Sequence, residues 1–314
     1  MAQQMIPMRK AYGEALIALG EQNEKVVALS ADVFNSDHSF MFAERFPERF
    51  FNVGIAEQAL VDVAVGFATN GFIPFANTFA AFFATRALEM VRTHACYGGA
   101  NIKMMAAYAG MSDSFDGPTH NSITDIAIMR SLPNMTIVVP SDPNTLPEML
   151  TQIAAWNGPV YCRLNRNDVP AMYDSAYQPQ IGTAFTARDG GDVSIIACGI
   201  MVSRALEAAE ELQKQGVSAR VIDMHTVKPL DNNAVLNAAR ETGAIVTAEE
   251  HSILGGLGGA VAELLSDKAP VPVKRTGVPD RFAETGPYNQ VLDAYGCGVA
   301  DIVQAAHAAV QGKK

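Results

Sequence analysis

Glu57 is the first residue in this chain whose type and position could do chemistry. It lies in the segment FFNVGIAEQAL, where it follows an apolar run and a glycine and begins an apolar helix. An acid in a first helical turn is common, because it interacts favourably with the helix dipole. A carboxylate in an apolar pocket, however, loses hydration, which favours its protonated form and makes proton exchange with a bound heterocycle practical. The local pattern leaves both interpretations open.

A second candidate cluster is aromatic. The segment NTFAAFFATRA places Phe79, Phe82 and Phe83 beside a polar turn. Aromatic residues at this helical spacing most often pack in a core. They can instead form a wall on which a flat ring stacks.

The third cluster lies in the segment AYAGMSDSFDGPTHNS, which is a loop by composition. It contains Asp113, Asp116 and His120 together with Gly110 and Gly117. Loops that expose several functional groups are favoured positions for binding and catalysis. A single loop histidine is nevertheless often a plain surface residue.

The elements that must position these clusters alternate along the chain. Short β-rich runs alternate with helical periodicity, the pattern of mostly parallel sheets covered by helices. The helix that begins at Glu57 has apolar residues on both sides, which predicts that it is buried nearly all round. Strands are predicted at Lys103–Ala107, Thr136–Val139 and Val160–Arg163.

A domain boundary is predicted where residues 167–192 bring several prolines and glycines and no sustained periodicity. We predict two three-layer αβα domains of the α/β class, with mostly parallel sheets, at residues 1–185 and 186–314. In the second domain a strand at Val193–Cys198 precedes a helix capped by Ser203 and ended by Gly216. Further predicted elements are strands at Arg220–Met224 and Ala244–Ala248, and a last helix with Val299, Ile302, Val303, Ala306 and Val310 on one stripe.

The composition excludes several classes of function. The 314 residues carry a formal net charge of −10, which argues against nucleic acid or an anionic membrane as the main partner. The apolar stretch Val63–Ala84 is broken by polar residues and a proline, whereas a membrane span needs about 20 unbroken apolar residues. It is predicted to form a buried helix, a turn and a second element. The N-terminus lacks the apolar core of a signal peptide.

The cysteines point to a reducing compartment. Four cysteines lie far apart and form no CxxC pair. This spacing favours free thiols in a cytoplasmic protein over a disulfide framework or a zinc site.

The three clusters occur in an order that resembles a known family. From about Met8 to Arg166 the chain resembles the pyrimidine-binding domain of transketolases through SADVFNS, VGIAEQ, NTFAAF, DGPTH, MRSLPNMTIVVPSD and LNRND. The remainder resembles the C-terminal domain of the same family through VIDMHTVKPLD, EEHSILGGLGGAVAE and GVPDRFAETG. The resemblance therefore covers nearly the whole chain.

The resemblance implies thiamine diphosphate as cofactor. Glu57 would hydrogen-bond the pyrimidine ring nitrogen, favour the imino tautomer and so help to deprotonate the thiazolium carbon. Phe79 and Phe82 would pack on the aminopyrimidine, and Asp32 would lie near the cofactor at a subunit interface. A tyrosine common near this pocket is replaced by Thr85, which weakens the expected aromatic wall.

The resemblance also implies a substrate site for sugar phosphates. Asp116 and His120 would face the sugar hydroxyls and the transferred two-carbon unit, so that His120 is expected to be catalytic together with Glu57. Arg9, Ser36 and Arg166 match positions that hold the substrate phosphate, a role suited to the bidentate guanidinium fork. Tyr108 lies in the same expected subsite, where many transketolases have a histidine.

A partner subunit is implied by what the chain lacks. The family holds magnesium and diphosphate with a GDG motif and a later asparagine, which are hard oxygen ligands. The sequence contains no GDG and opens at the pyrimidine-binding domain. The resemblance therefore implies an N-terminal transketolase subunit that carries the diphosphate-binding domain and the Mg²⁺ ligands, in an α2β2 heterotetramer, with Val63–Ala84 partly at the interface.

Other functions remain as alternatives. The β subunit of a 2-oxo-acid dehydrogenase decarboxylase component shares the two-domain plan, but DGPTH, Arg9 and Arg166 favour a transketolase. A 1-deoxyxylulose-5-phosphate synthase is expected to be one long chain. An alternative from a different class is a regulatory subunit without catalytic activity, and the presence of Glu57, Phe79 and His120 argues against it.

The GGLGG segment and the Glu249–His251 pair of the second domain are predicted to have structural roles. The glycines of GGLGG lack the strand-to-helix placement and the following acid of a dinucleotide-binding loop. Glu249 and His251 have no third metal ligand at a workable spacing. Helix capping and a domain contact are predicted for this pair.

Overall fold

A seven-stranded sheet organises the first half of the chain and a five-stranded sheet the second half. The computed structural model describes residues 4–174 and 177–313. Its strands are β1 (Met5–Pro7), β2 (Val26–Ser30), β3 (Phe50–Asn52), β4 (Ile73–Phe79), β5 (Lys103–Ala107), β6 (Thr136–Val138), β7 (Val160–Arg163), β8 (Asp168–Pro170), β9 (Phe185–Arg188), β10 (Val193–Ala197), β11 (Ala219–Asp223), β12 (Thr226–Lys228), β13 (Ile245–Ser252) and β14 (Val273–Val278).

The pairing of these strands is mostly parallel. The first sheet has the order β12-β6-β7-β5-β4-β2-β3, and only β12 runs antiparallel to its neighbour. The second sheet has the order β14-β13-β10-β11-β9, in which β9 is antiparallel. Strands β1 and β8 form a separate antiparallel pair. The predicted fold class is confirmed.

Helices cover both faces of each sheet. The α-helices are α1 (Met8–Gln22), α2 (Phe34–Asp37), α3 (Phe40–Arg45), α4 (Glu57–Thr69), α5 (Ala80–Ala84), α6 (Leu88–Met90), α7 (Asp125–Ser131), α8 (Leu146–Ala155), α9 (Met201–Lys214), α10 (Asn232–Thr242), α11 (Leu257–Lys268), α12 (Tyr288–Ala294) and α13 (Val299–Gln311). On the first sheet α1, α3 and α8 lie on one face and α4, α5 and α7 on the other. On the second sheet α9 and α13 lie opposite α10 and α11.

The two domains share a hydrophobic core. One cluster of buried side chains extends from Leu60 of α4 through Met129 of α7 to Leu257 and Val261 of α11. Strand β12 adds a backbone connection, because it leaves the second half of the chain to pair with β6 of the first sheet. The domains therefore hold each other in a fixed arrangement through continuous apolar packing. The boundary between residues 185 and 186 falls at the first residue of β9 and remains a prediction.

Helix α4 differs from its prediction. Leu60, Val61 and Ala64 are buried, but Val63 is 38% exposed and Gly66 is also exposed. The prediction that this helix is buried nearly all round is therefore wrong for the chain by itself. Apolar periodicity shows that a face is suited to burial, but not whether the same chain or another one covers it.

The remaining elements lie close to their predicted bounds. Strands β5 and β7 match to the residue, and Val63–Ala84 forms a helix, a turn, β4 and α5 as predicted. The cap prediction for Ser203 is wrong, since α9 begins at Met201 and the Ser203 hydroxyl donates to the Ile200 carbonyl inside the first turn. In the described residues, no helix combines the length and the apolar character needed to cross a membrane.

Candidate active site

The candidate site lies at the carboxyl ends of neighbouring parallel strands. Ser36 follows β2, Phe79 ends β4, Tyr108 follows β5 and Arg166 follows β7. Parallel strands bring the segments after their carboxyl ends to one edge of the sheet, which is where ligands bind in open α/β sheets. The fold thus gathers residues that are far apart in the sequence.

Glu57 is the first residue of α4 and its side chain is buried. The carboxylate keeps only 4% of its exposure, and its Oε1 lies 3.2 Å from Nη1 of Arg86, whose side chain is 50% exposed. The sequence left the burial of Glu57 open, and the structure places this residue, buried, at the start of the helix. Arg86 was not predicted: it lies in the turn after α5, and its contact with Glu57 joins residues 29 positions apart, for which local periodicity carries no signal.

An aromatic wall lies beside this carboxylate. The rings of Phe79 and Tyr108 are stacked, with centroids 4.3 Å apart and planes 12° apart, and Phe82 lies 5.7 Å from Phe79. The Arg86 guanidinium lies 4.1 Å from the centroid of the Phe82 ring. Thr85 adds no ring, and its hydroxyl donates to the Ala81 carbonyl. The wall is therefore built from Phe79, Phe82 and Tyr108.

His120 faces the same wall from the loop between β5 and α7. Its ring centroid lies 5.5 Å from that of Phe82 and 6.0 Å from that of Phe79. Its Nδ1 is 3.0 Å from the Thr119 hydroxyl, and its side chain is half-buried. The structure therefore places His120, the second residue predicted to be catalytic, against the aromatic wall.

Two arginines flank Tyr108. Nη1 of Arg9 donates to the Ser36 carbonyl at 2.6 Å and to the Tyr108 hydroxyl at 3.2 Å. The guanidinium carbons of Arg9 and Arg166 lie 5.5 Å and 5.2 Å from the centroid of the Tyr108 ring. The predicted anion-binding residues are thus close together, and the Ser36 carbonyl orients Arg9 by accepting its hydrogen bond.

A buried acid belongs to this cluster as well. Asp113 is fully buried, and its Oδ1 lies 3.4 Å from Nε of Arg166. Burial, together with the Asp116 carboxylate, raises the pKa of Asp113 to about 6, while Arg166 and His120 act to lower it. Asp116 itself is exposed at the loop surface. This loop therefore carries a buried carboxyl group whose pKa is shifted by burial and by neighbouring charges, and such groups cluster at functional sites.

Asp32 lies at the edge of the site. Its backbone has a left-handed φ of 64°, and its Oδ1 accepts a hydrogen bond from Asn52 Nδ2 at 2.8 Å. The side chain is exposed and joined to β3 by this bond. An exposed carboxylate here is available to another molecule, and its cofactor role remains a prediction.

The acidic and histidine residues of β13 have structural contacts. Both Glu249 carboxylate oxygens accept backbone hydrogen bonds from the start of α11, at 2.7 Å from Leu257 and 2.8 Å from Gly258. His251 Nε2 accepts from the Ala127 amide of the first domain at 3.2 Å. The predicted helix cap and domain contact are confirmed. Within the described residues, no group of three His, Cys, Asp or Glu side chains is arranged to hold a metal.

Sequence families and solved structures agree with this architecture. Residues 4–172 match the family described as "Transketolase, pyrimidine binding domain", and residues 182–302 match "Transketolase, C-terminal domain". The chain is 41% identical over 306 residues to the 6-deoxy-6-sulfo-D-fructose transketolase subunit SqwH of Clostridium sp. (strain MSTE9), which covers 98% of this chain and 95% of that protein.

Two further similarities cover nearly whole chains. One of the subunits of the apulose-4-phosphate transketolase of Phocaeicola vulgatus is 38% identical over 297 residues, covering 94% of this chain and 95% of that one. A solved structure described as a split gene transketolase, inactive β4 tetramer, superposes with a TM-score of 0.92 at 46% identity, covering 98% of this chain and all of that one. The chain therefore belongs to the transketolase family and comprises its pyrimidine-binding and C-terminal domains.

Proposed function

We propose that this chain is one subunit of a thiamine-diphosphate-dependent transketolase, which transfers a two-carbon ketol unit from a ketose donor to an aldose acceptor. The observation that carries the proposal is the buried Glu57 carboxylate, which Arg86 joins to Phe82 of the aromatic wall. His120 faces the rings of Phe79 and Phe82 in the same wall. A carboxylate, a flat apolar wall and a facing imidazole suit a flat heterocycle that exchanges a proton.

The residues of this site fit the pyrimidine end of the cofactor. Glu57 would hold a proton at the ring nitrogen, and Phe79 and Phe82 would pack against the ring, with Asp32 near its edge. When bound, thiamine diphosphate supplies carbanion stabilisation. The chain contributes binding, orientation and the exclusion of water around the buried carboxylate.

The substrate would lie between the loop after β5 and the two arginines. Asp116 and His120 would bind sugar hydroxyls, with His120 also placed to exchange protons with the transferred unit. Arg9 and Arg166, with Ser36 and Tyr108, would bind an anionic group at the far end of the sugar. The names of the two relatives, which refer to a sulfo-fructose and an apulose-phosphate transketolase, support sugar phosphates or sugar sulfonates as substrates.

A second polypeptide would complete the site. We propose an N-terminal-half subunit that binds the diphosphate through Mg²⁺, in an α2β2 heterotetramer. Large apolar side chains around α4 support an interface there, since Ile55 is 76% exposed, Val63 38% and Phe72 37%. The four cysteines are free thiols, which supports a cytoplasmic location.

Co-purification followed by an activity assay tests this function. The chain is recovered from its native lysate and its stoichiometric partner is identified; we expect a chain of about 250–300 residues, the size of one or two domains, with a GDG motif. The complex is then assayed for ketol transfer between sugar phosphates. Recovery with a 2-oxo-acid decarboxylase α subunit and an acyltransferase core, without ketol transfer, would contradict the proposal.

A further inference from the structure

Arg86 makes both of the contacts that the cofactor ring would need. We propose that its guanidinium occupies the aminopyrimidine position in the cofactor-free chain, as an internal ligand that must leave before the cofactor binds. This inference rests on the proposed function, since it assumes that Glu57 and Phe82 receive the pyrimidine.

The geometry of the Arg86 side chain supports a direct competition. Its guanidinium lies 4.1 Å from the centroid of the Phe82 ring, and Nη1 donates to Glu57 Oε1 at 3.2 Å. A guanidinium is planar, carries N–H donors and stacks on aromatic faces. An aminopyrimidine is also planar and polar at its rim, so it would use the same ring face and the same carboxylate. Two planar groups cannot stack on the same face of the Phe82 ring at once, so the guanidinium would have to leave that face.

Arg86 is also free to leave this position. Half of its side chain is exposed, and its guanidinium makes one hydrogen bond, to Glu57, and one ring contact, with Phe82. Arg163 provides a contrast, because it is buried and held by Asp125 through two hydrogen bonds, at 2.8 Å and 3.0 Å. The Arg86 guanidinium is half exposed, and solvent weakens both its ion pair with the buried Glu57 and its cation–π contact with Phe82. Arg86 can therefore rotate into solvent when a better ligand arrives.

The expected consequence is a weaker apparent affinity for the cofactor. When only part of a population is competent to bind, the apparent Kd rises by the inverse of that fraction. Contacts as weak as those of Arg86 correspond to an increase of about three- to tenfold. The chain would thus keep Glu57 covered until the cofactor binds.

Calorimetric titration of the assembled complex with thiamine diphosphate and Mg²⁺ tests the proposal. We expect Arg86→Ala to lower the Kd about three- to tenfold. Arg92→Ala is the matched control, because Arg92 is an exposed arginine paired with Glu89, and it should leave the Kd unchanged. An equal or higher Kd for Arg86→Ala would overturn the proposal, since a residue that merely positions Glu57 would weaken binding when removed.

Arginine modification of the cofactor-free chain provides a second measurement. Phenylglyoxal labelling with peptide mass spectrometry compares the wild-type chain with Glu57→Gln, which removes the charge that holds Arg86. We expect Arg86 to react about three- to tenfold faster in the variant, with Arg92 unchanged. Equal reactivity at Arg86 would overturn the proposal. If neither the wild-type complex nor its variants bound the cofactor, the proposed function would be contradicted. The labelling result would still decide whether Glu57 holds Arg86.

Discussion

Glu250 of the second domain lies directly against Gly110 of the first. Its Oε1 accepts a hydrogen bond from the Met111 amide at 2.7 Å, and a Cβ added to Gly110 would lie 2.4 Å from Glu250 Cδ. Tyr288 donates to the other carboxylate oxygen at 2.9 Å. This contact anchors the beginning of the loop that carries His120. The C-terminal domain thus helps to position the candidate site, although its own residues lie outside the aromatic cluster.

Gly110→Ala should destabilise the chain and disturb the site loop. Gly110 has a φ of 65°, and the added methyl would overlap the Glu250 carboxyl group. Together, backbone strain and overlap are expected to cost about 2–4 kcal/mol in the free energy of unfolding, measured with urea. The matched control is Gly216→Ala, where φ is 79° but no atom lies within 4 Å, so it should cost about 1 kcal/mol. Equal costs at the two glycines would show that Glu250 does not limit the space.

Glu250 also predicts a pH dependence of stability. Burial raises its pKa from 4.5 to about 7, although Arg163 and the bonds from Tyr288 and Met111 act to lower it. Because the pKa of Glu250 is higher in the folded than in the unfolded state, the free energy of unfolding falls as pH rises from about 4.5 through about 7. Below about 4.5 the carboxyl group is protonated in both states, and this loss is absent. Between about pH 5 and 8 the loss from this one group is about 2 kcal/mol.

Urea unfolding at pH 5 and at pH 8 measures this contribution. In the wild type the free energy of unfolding should fall between pH 5 and pH 8, and Glu250→Gln should make this fall smaller by about 2 kcal/mol. Glu14→Gln, which removes an exposed carboxylate, should leave the fall unchanged. The same fall in the wild type and in Glu250→Gln would mean that Glu250 is already ionised in the native state at pH 5.

The residues of this site differ in how far the sequence could predict them. Local patterns were sufficient for β5 and β7, whose apolar runs match the observed strands to the residue, and for the glutamate at the start of α4. The contact between Arg86 and Glu57 joins residues 29 positions apart, and the contact between Glu250 and Met111 joins residues 139 positions apart. Such pairs depend on how the chain packs, which periodicity does not describe.

Burial of polar groups was also beyond the sequence pattern. Asp113 is fully buried although its segment has the composition of an exposed loop, because the loop folds against Arg166 and the second domain. Conversely, the apolar residues of α4 predicted full burial, yet Val63 is exposed in the chain by itself. Hydrophobic pattern indicates which surfaces favour contact, but not whether the contact lies inside one chain or between two.

Glu57→Gln should lower the turnover of the reconstituted complex by about 10²–10⁴-fold, the range expected for loss of a general acid–base group. The variant should still fold, because Arg86 is half exposed and stays hydrated when residue 57 loses its charge. We expect the free energy of unfolding to fall by at most about 1 kcal/mol. Turnover of ketol transfer and the urea midpoint are measured together. Glu89→Gln removes an exposed carboxylate from an arginine pair and serves as control. Near wild-type turnover in Glu57→Gln would contradict its assigned role.

Arg166→Lys separates anion binding from simple charge. Arg166 lies against the Tyr108 ring and beside the buried Asp113, so a planar guanidinium is oriented there, whereas an ammonium cannot form the bidentate pair. We expect the KM for a sugar phosphate or sulfonate to rise about 10- to 100-fold, with a smaller change in kcat, because binding at the far end of the sugar is largely the same in the ground and transition states. Arg45→Lys changes an exposed arginine paired with Glu21 and should leave KM unaltered. If KM for anionic sugars were unchanged while KM for uncharged sugars rose, Arg166 would be binding sugar hydroxyls, and the anion would have to be bound elsewhere.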